Sequence, residues 1–401
     1  MSVCKLPLKV LLLTTSFPLI KGSRSGIFIK KLVDNLPSDF KVTVLTPDSS
    51  FKDVPNPSSY KLVRFRYAPK RWQKLAHGSG GIVAALSQKH LSCLLIPVLL
   101  CSSFIMSCWY AFKVDILHAN WSINGVIAGI AGRITGKPVV TTLRGSDVNL
   151  MHTSLLMRKL VHLCLYLSDS IITVSPFLKS IIEEEFPRYC YKIKVIPNGI
   201  DEFFFNQRKK SPEAPEKVCF LYAGNLTEGK GVHLILAALA SLTTVNWFLD
   251  IIGDGPEREK LEEYSQRSAL GSKVIFHGAV APEEVPVFLQ KADVFVFASF
   301  SEGRPNVVLE AMAAGVPVIA SAIPAVLDLI EDGKQGLIFP VGDEKRLSEL
   351  MEHIITHPGE RYVMGEKARE FITSQGFSWQ KTGQQYADIY THAVCGSAEG
   401  K

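Results

Sequence analysis

Glu302 and Glu310 stand eight positions apart, separated by a short segment rich in loop-forming residues. The apolar run that follows predicts a helix, and Pro305 suits its first helical position. The amides of residues 303–307 would then have no partner within the helix and would favour an anion, usually phosphate. A carboxylate is repelled by a neighbouring phosphate, so one is expected there only where a hydrogen-bond acceptor is needed, as for a sugar hydroxyl. We therefore expect Glu302 to accept sugar hydroxyls and Glu310 to accept a hydroxyl pair such as ribose offers.

Two predicted strands flank this segment. Residues 292–297 indicate a buried strand before it, and residues 317–320 indicate a second strand after it. Strand, loop, helix and strand in this order form the unit of a doubly wound sheet. Ligands bind such sheets beyond the carboxyl ends of the strands, so the two glutamates fall where chemistry is expected.

The first predicted strand, residues 9–14, also ends in a glycine-bearing loop, and a helix is expected from about Ile27. Gly26 in this loop would let phosphate or sugar approach the backbone closely. An ordinary turn is the alternative for so short a pattern.

Polar residues end two further predicted strands. His118 and Asn120 close the strand that begins at Asp115, and Arg144 closes the strand of residues 139–143. Their position at the carboxyl edge predicts that they face a ligand cleft. For Arg144 the alternative is a structural salt bridge to Asp147 or to a helix end.

The whole string from Ser299 to Ser321 resembles the Glu-x7-Glu signature of the retaining family-4 glycosyltransferases. Two glutamates at this spacing are common as surface charges, but the complete string is far more specific, and the resemblance covers nearly the whole chain. It implies the α/β GT-B fold, with two Rossmann-like doubly wound domains facing across a cleft. The expected divisions are an acceptor-side domain at 1–198, a nucleotide-sugar domain at 199–375 and, at 376–401, a final helix returning towards the first domain.

The resemblance also implies roles for individual residues. Lys230 matches the lysine that holds the donor pyrophosphate, where a cation offsets the charge released as the sugar bond breaks; a solvated lysine is the alternative. Glu302 would be catalytic together with Lys230. The implied donor-binding residues are Gly26, Asn225, Lys230, Gly303, Arg304, Pro305, Asn306, Val307 and Glu310, and those on the acceptor or sugar side are His118, Asn120 and Arg144.

Three positions depart from the family pattern. Asn225 replaces the usual arginine of the pyrophosphate clamp, so Arg304 or Arg144 would have to supply a second charge. Asn120 and Arg144 stand where the family commonly has histidine. Arginine carries a fixed charge and cannot act as a base, which leaves a general-base role at that position in doubt.

Charge is distributed unevenly over the 401 residues. The net charge is +6, but residues 1–205 hold 25 Lys and Arg against 12 Asp and Glu. A basic first half suggests an anionic partner, and we expect a membrane surface because no nucleic-acid motif is present. The cysteines show no paired spacing and predict small core residues in a reducing compartment. No metal-binding pattern occurs.

Two segments of the first half bear on membrane contact. Residues 60–77 interleave six cations with four aromatic residues, which predicts either a solvated basic loop or a surface for lipid headgroups. Residues 91–112 contain no charge and are long enough to span a bilayer. Strands of one sheet are expected on both sides of this run, so we favour a buried or in-plane helix over a transmembrane one.

The sequence therefore predicts a retaining glycosyltransferase, of hexosyl or N-acetylhexosaminyl type. It would move a sugar from a nucleoside diphosphate sugar, with UDP favoured, to a glycan or lipid-linked acceptor in lipopolysaccharide or exopolysaccharide synthesis. A non-catalytic glycan- or nucleotide-binding module of the same fold is the alternative. We expect no cofactor and no metal, and a cytoplasmic location, peripheral on the inner face of the membrane.

Overall fold

The computed structural model describes residues 7–19, 25–49, 59–73, 75–77, 94–205, 217–244, 246–268 and 270–399. The chain divides into two compact units. Unit one is Met1–Gly199 with Trp379–Lys401, and unit two is Ile200–Ser378. Residues 206–216, most of the linker that the polar, Pro-bearing sequence predicts at 206–217, lie outside the described residues, as do residues 20–24, residues 91–93 and Lys74.

Unit one is built on a parallel seven-stranded sheet. The strand order is β3-β2-β1-β4-β5-β6-β7, so the direction of winding reverses between β1 and β4. Four of its strands are almost wholly buried because helices cover both faces, as a parallel sheet requires. The strands are β1 Leu8–Leu13, β2 Phe40–Pro47, β3 Lys61–Phe65, β4 Ile116–Asn120, β5 Val139–Leu143, β6 Ser170–Thr173 and β7 Ile193–Val195.

The helices of unit one fill the crossovers between these strands. Two of them, α5 and α6, begin after the serine caps Ser154 and Ser175, whose hydroxyls each accept a backbone N–H of the first turn. The described helices are α1 Ile27–Asp34, α2 Leu95–Ala111, α3 Ser122–Thr135, α4 Ser146–Asn149, α5 Leu155–Leu167 and α6 Pro176–Glu185. Short 3-10 turns occur at Lys70–Trp72, Leu150–His152 and Pro187–Lys192.

Unit two repeats this plan with six parallel strands. Their order is β10-β9-β8-β11-β12-β13, and the winding reverses between β8 and β11. The strands are β8 Val218–Ala223, β9 Trp247–Ile252, β10 Val274–Gly278, β11 Val294–Phe297, β12 Val318–Ser321 and β13 Gly336–Phe339. The helices are α7 Glu202–Phe205, α8 Val232–Ala240, α9 Arg258–Arg267, α10 Val285–Lys291, α11 Asn306–Ala313, α12 Pro324–Leu327, α13 Glu344–Thr356 and α14 Pro358–Gln375. The prediction of two doubly wound α/β domains is confirmed.

The last helix, α15 Trp379–Glu399, belongs to unit one. Its residues Trp379, Tyr386 and Tyr390 enter the same apolar core as Val10 of β1 and Val140 of β5. Burying a side chain of this size contributes roughly 2 kcal/mol to stability, because its apolar surface is removed from water. The helix is therefore an integral layer of the first sheet, although it is the last element in the chain.

The basic segment at residues 60–77 is not the loop that the sequence suggests. Its first part forms β3, which pairs in parallel with β2. Tyr60, Phe65 and Tyr67 are buried, and only Trp72 is exposed, with 52% of its surface accessible. The expectation that all four aromatic rings lie at the surface is therefore wrong, since β3 needs an apolar face against the core.

Residues 95–111 of the uncharged run form α2, a helix of 17 residues. No helix in the described part of the chain combines the length and the apolar character needed to cross a bilayer. Its residue Leu99 is buried, whereas Ile105, Trp109 and Phe112 are each more than 60% exposed. The helix is thus only partly buried.

The cysteines do not all match the prediction of reduced core residues. Cys164 and Cys219 are buried thiols, whereas Cys101 and Cys190 are exposed. Cys395 in α15 is disulfide-bonded, so the expectation of reduced thiols throughout is wrong for this residue.

Candidate functional site

Lys230 and Glu302 contact each other in unit two. Their loops follow β8 and β11, the two neighbouring strands between which the winding reverses. The ammonium of Lys230 donates to Oε1 of Glu302, and the two side chains are 27% and 19% exposed. The sequence therefore identified two groups that the fold does bring together. Their pairing with each other was not foreseen, since separate roles were expected for them.

Backbone contacts fix the two loops against each other. The amide of Phe300 donates to the carbonyl of Gly229 (3.0 Å), and the hydroxyl of Ser299 lies 3.2 Å from the same carbonyl. Gly231 has φ +65°, and a Cβ at this position would come within 2.1 Å of the carbonyl oxygen of Ala298. Only glycine allows this approach, so the lysine loop is held against the end of β11.

The start of α11 differs from the prediction. The helix begins at Asn306, and Pro305 is its N-cap rather than its first helical residue. The amide of Asn306 donates to the carbonyl of Arg304 at 3.1 Å, and proline has no N–H. The expected row of amides over residues 303–307 is therefore incomplete. Gly303 is buried, while Asn306, Val307 and Glu310 are half-buried on the first turns of the helix.

Arg304 belongs to the interior of unit two. It is 9% exposed, and its guanidinium carbon lies 4.9 Å from the centre of the Phe377 ring. Burial lowers the pKa of Arg304 to about 10, although Asp328 opposes this shift. The suggestion that Arg304 supplies a second clamp charge in place of the family arginine is not supported by this position. Asn225, which stands where that arginine is expected, is exposed.

Unit one places Gly26, Asn120 and Arg144 around its own reversal point. Gly26 has φ +67°, and an added Cβ would lie 2.2 Å from the carbonyl oxygen of Ser16. Arg144 donates to Oδ1 of Asn120 through two nitrogens, at 2.8 and 3.1 Å. Its guanidinium also lies 4.4 Å from the centre of the Phe28 ring. The arginine is thereby held rigidly at the carboxyl edge of the sheet.

The alternative of a salt bridge between Arg144 and Asp147 is not observed. Asp147 accepts the backbone amides of Ser122, Gly145 and Val148 instead. Arg144 completes its contacts by donating to Oδ1 of Asn198 at 2.9 Å.

His118 is not at the surface, contrary to the prediction that it lies on the sugar or acceptor side. It is fully buried, its Nδ1 lies 2.7 Å from the Tyr390 hydroxyl, and its Nε2 lies 2.9 Å from Oγ1 of Thr142. Both ring nitrogens are therefore used inside unit one. Burial, with the nearby Arg144 charge, lowers the pKa of His118 to about 3. We assign His118 a structural role.

Sequence reasoning missed the supporting residues of both sites. Ser299 ties the Glu302 loop to Gly229, and Ser321 of β12 donates to the carbonyl of Ser299 at 2.6 Å. In unit one, Phe28 and Asn198 hold Arg144. Serine at a strand end is too common to be noticed in a sequence, and no local pattern links Asn198 to Arg144, which is 54 positions away.

Family models match nearly the whole chain. The family model described as "Glycosyltransferase Family 4" matches residues 26–202, and the model described as "Glycosyl transferases group 1" matches residues 203–371. Together the two models run without a gap from residue 26 to residue 371. They correspond closely to unit one without α15 and to unit two.

Similar proteins agree with these models. N-acetyl-alpha-D-glucosaminyl L-malate synthase of Bacillus anthracis is 27% identical, and the match covers 72% of this chain and 77% of that protein. Alpha-monoglucosyldiacylglycerol synthase of Streptococcus pneumoniae is 26% identical, over 71% and 67% of the two chains. Anabaena HepE, solved in complex with UDP and glucose, has a TM-score of 0.73 at 20% identity, covering 96% of this chain and 99% of that one. This chain belongs to the glycosyltransferases of the GT-B fold.

Proposed function

We propose that this glycosyltransferase is a retaining enzyme that takes a sugar from a nucleoside diphosphate sugar. The observation that carries the proposal is the contact between Lys230 and Glu302 at the reversal point of the second sheet. A cation beside a hydrogen-bond acceptor suits a substrate in which a diphosphate adjoins a hydroxyl-bearing sugar. The site needs a positive group where charge develops on the leaving diphosphate, and Lys230 supplies one.

Each group has a defined task in this proposal. Lys230 and the first turn of α11 stabilise the departing diphosphate, Glu302 accepts hydroxyls of the donor sugar, and Glu310 accepts the ribose hydroxyls. Transfer takes place on one face of the sugar, with a donor phosphate oxygen receiving the acceptor proton. The residues proposed here require no divalent metal. Arg144, fixed by Asn120 and Phe28, presents a permanent positive charge to an anionic group on a substrate.

The names of the similar proteins support particular substrates. The Anabaena structure contains UDP and glucose, so UDP is the favoured nucleotide here. The Bacillus relative is named for an N-acetylglucosaminyl product and the Streptococcus relative for a glucosylated diacylglycerol. We therefore propose a hexosyl or N-acetylhexosaminyl donor and a glycan or lipid-linked acceptor in the synthesis of cell-surface glycans. The enzyme would work in the cytoplasm, at the inner face of the membrane.

A screen of UDP-, GDP- and ADP-sugars tests this function. One nucleotide sugar is expected to raise the melting temperature, and the same sugar is then expected to be transferred to a lipid-linked acceptor. NMR of the product should show the anomeric configuration of the donor. Inversion at the anomeric carbon would contradict the retaining mechanism. Binding without transfer across a broad acceptor set would favour the non-catalytic module.

The proposed membrane contact rests on the unusual orientation of α2. Its outward stripe is apolar, whereas Ser103 and Ser107 face the protein and are buried. The stripe recurs every three or four residues and consists of Leu94, Val98, Cys101, Ile105, Trp109 and Phe112. A helix on a soluble surface usually carries polar residues on its outward face, whereas α2 is apolar outside and also packs Leu99 against the core of unit one. We propose that this stripe lies in the plane of an anionic membrane surface.

Cations accompany this stripe. Lys113 lies 4.9 Å from the centre of the Trp109 ring, and Lys61 lies 5.8 Å from the centre of the Tyr110 ring. Lys70 and Arg71 are exposed beside the exposed Trp72 in a neighbouring segment of the sequence. Basic residues next to interfacial aromatics favour lipid headgroups, and each cation contributes about 1 kcal/mol near an anionic surface.

Replacing Ile105 and Trp109 with serine is expected to weaken binding to phosphatidylglycerol vesicles by roughly tenfold or more, because apolar area can no longer enter the interface. Vesicle sedimentation measures the effect, and transfer to a soluble acceptor should stay unchanged. The matched control is Leu155→Ser with Leu156→Ser, two residues of α5 that are 75% and 67% exposed. Equal sedimentation of both variants and the wild type would contradict the membrane contact.

A further inference from the structure

A cavity lies in unit one, at the edge of the sheet opposite the carboxyl ends of the strands. Its volume is about 520 Å³, and it opens where β5 and β6 begin and α3 ends. This volume falls in the range of ordinary small-molecule sites. The lining includes Arg133, Lys137, Tyr166, Asp169, Tyr191 and Lys192. We call this cavity the basal groove.

The basal groove carries an excess of positive charge. Arg133, Lys137 and Lys192 contribute three cations to the lining, and Asp169 is the one acidic residue among the residues that line it. The carboxylate of Asp169 accepts the backbone amide of Val139 at 2.7 Å, which fixes its position. Within the described residues none of the three cations forms an ion pair, so their charge is available to an anion.

Lys192 is a buried member of this group. Lys192 is 9% exposed, and its ammonium donates to the carbonyl of Ser168 at 2.6 Å. An ammonium has three donor hydrogens, so two remain for other acceptors. Burial lowers the pKa of Lys192, and the charge of Arg133 adds to this effect, although Asp169 and Cys164 oppose it. A bound anion would offset both the desolvation of the lysine and its repulsion from Arg133.

The carbonyl end of α3 also faces this region and would repel an anion if it were uncapped. It is capped by two donors. The amide of Lys137 donates to the carbonyl of Gly132 at 2.9 Å, and the hydroxyl of Thr135 donates to the carbonyl of Ala131 at 2.8 Å. Two of the carbonyls at this end of the helix are thus satisfied within the chain.

Two tyrosine rings flank the cations. Tyr166 is 54% exposed and Tyr191 is 78% exposed, although both line the groove. The guanidinium carbon of Arg133 lies 4.4 Å from the centre of the Tyr166 ring, which holds the arginine in place. Exposed flat rings beside cations provide a stacking surface for a base next to a site for phosphate.

We propose that the basal groove binds a nucleoside phosphate, with its phosphates between Arg133, Lys137 and Lys192 and its base against the tyrosine rings. This site is separate from the donor site because it lies in unit one, at the amino edge of the sheet. It takes no part in the proposed transfer. A nucleotide bound there would be a ligand additional to the donor.

The test measures UDP and pyrophosphate binding by calorimetry, using the full chain. The wild type is expected to bind two molecules of UDP. Arg133→Gln combined with Lys137→Gln should weaken one site by roughly 10²-fold, since two charge-assisted hydrogen bonds are lost. Lys230→Ala should weaken only the other site. The control is Lys159→Gln with Lys194→Gln, which removes the same charge from exposed positions of unit one.

The remaining arms separate this site from the donor site and from phosphate alone. Tyr191→Ala should weaken UDP binding at the groove about tenfold and leave pyrophosphate binding unchanged, because base stacking contributes 1–3 kcal/mol. The inference is overturned if the groove variant binds UDP at two sites as the wild type does. It is also overturned if Tyr191→Ala has no effect on UDP, because only a phosphate site would then remain. If the wild type bound UDP only at the groove, so that Lys230→Ala had no effect on binding, the result would count against the proposed function and leave the groove in place.

Discussion

Replacing Lys230 or Glu302 with alanine is expected to lower sugar transfer by about 10² or more. The ammonium and the carboxylate are in contact and are each less than 30% exposed, so water screens their interaction only in part. In the proposed reaction the lysine stabilises charge that develops on the leaving diphosphate, and the glutamate holds the sugar hydroxyls. Losing either group removes an interaction that is strongest in the transition state.

The double variant tests whether Lys230 and Glu302 act together or contribute independently to the rate. Because the two side chains contact each other, the effects of the single changes should not add, and the double variant should be little slower than the slower single variant. Steady-state rates with a saturating donor and acceptor provide the measurement. Lys230→Arg should recover part of the activity, because it retains a cation with a different geometry.

The matched control is a second ion pair of unit two. Lys334 and Glu331 are 2.6 Å apart and exposed, three positions from each other in sequence. Alanine at either position should leave the rate within twofold, since exposed pairs contribute little. If the Lys230 and Glu302 variants transferred sugar as fast as these controls, the proposed mechanism would be wrong.

The site in unit two was accessible from sequence because each of its two charged residues lies in a recognisable local pattern, although they are 72 positions apart. Glu302 lies in a loop between a predicted strand and a predicted helix, and Lys230 lies in a glycine-rich loop after another strand. The parallel sheet then places both loops at one edge. The helix start was misplaced by one residue, since Pro305 satisfies the pattern of a cap and of a first turn equally well.

The errors in unit one come from packing between distant parts of the chain. His118 was expected to face a cleft, but α15 covers that side of β4 with Tyr386 and Tyr390. These tyrosines are more than 260 positions later in sequence, so no local pattern reports the contact. The same reason applies to Phe65 and Tyr67, which pack with Leu99 of α2 in one apolar cluster. A sequence shows which residues suit a face, but the covering element decides which face is inside.

The burial of His118 also predicts how stability depends on pH. Its pKa in the folded protein is lowered from 6.5 to about 3, first by burial and then by the charge of Arg144. Below pH 6.5 the unfolded chain therefore binds a proton that the folded chain does not, and the free energy of unfolding falls as the pH falls. The loss is about 1.4 kcal/mol per pH unit between 6.5 and the folded pKa. Above pH 6.5 the residue is neutral in both states and has no effect.

Urea unfolding between pH 7.5 and pH 5 measures this dependence. The wild type should lose roughly 2 kcal/mol through His118 over this range, and His118→Gln should lose less by that amount. Burial also lowers the pKa of His77, so both proteins lose further unfolding free energy through this residue as the pH falls. The difference between the two proteins therefore isolates the contribution of His118. His152→Gln, at an exposed position of unit one, is the control and should follow the wild type. If His118→Gln followed it as well, the ring would not be held neutral between β4 and α15, and its hydrogen bond to Tyr390 would need another explanation.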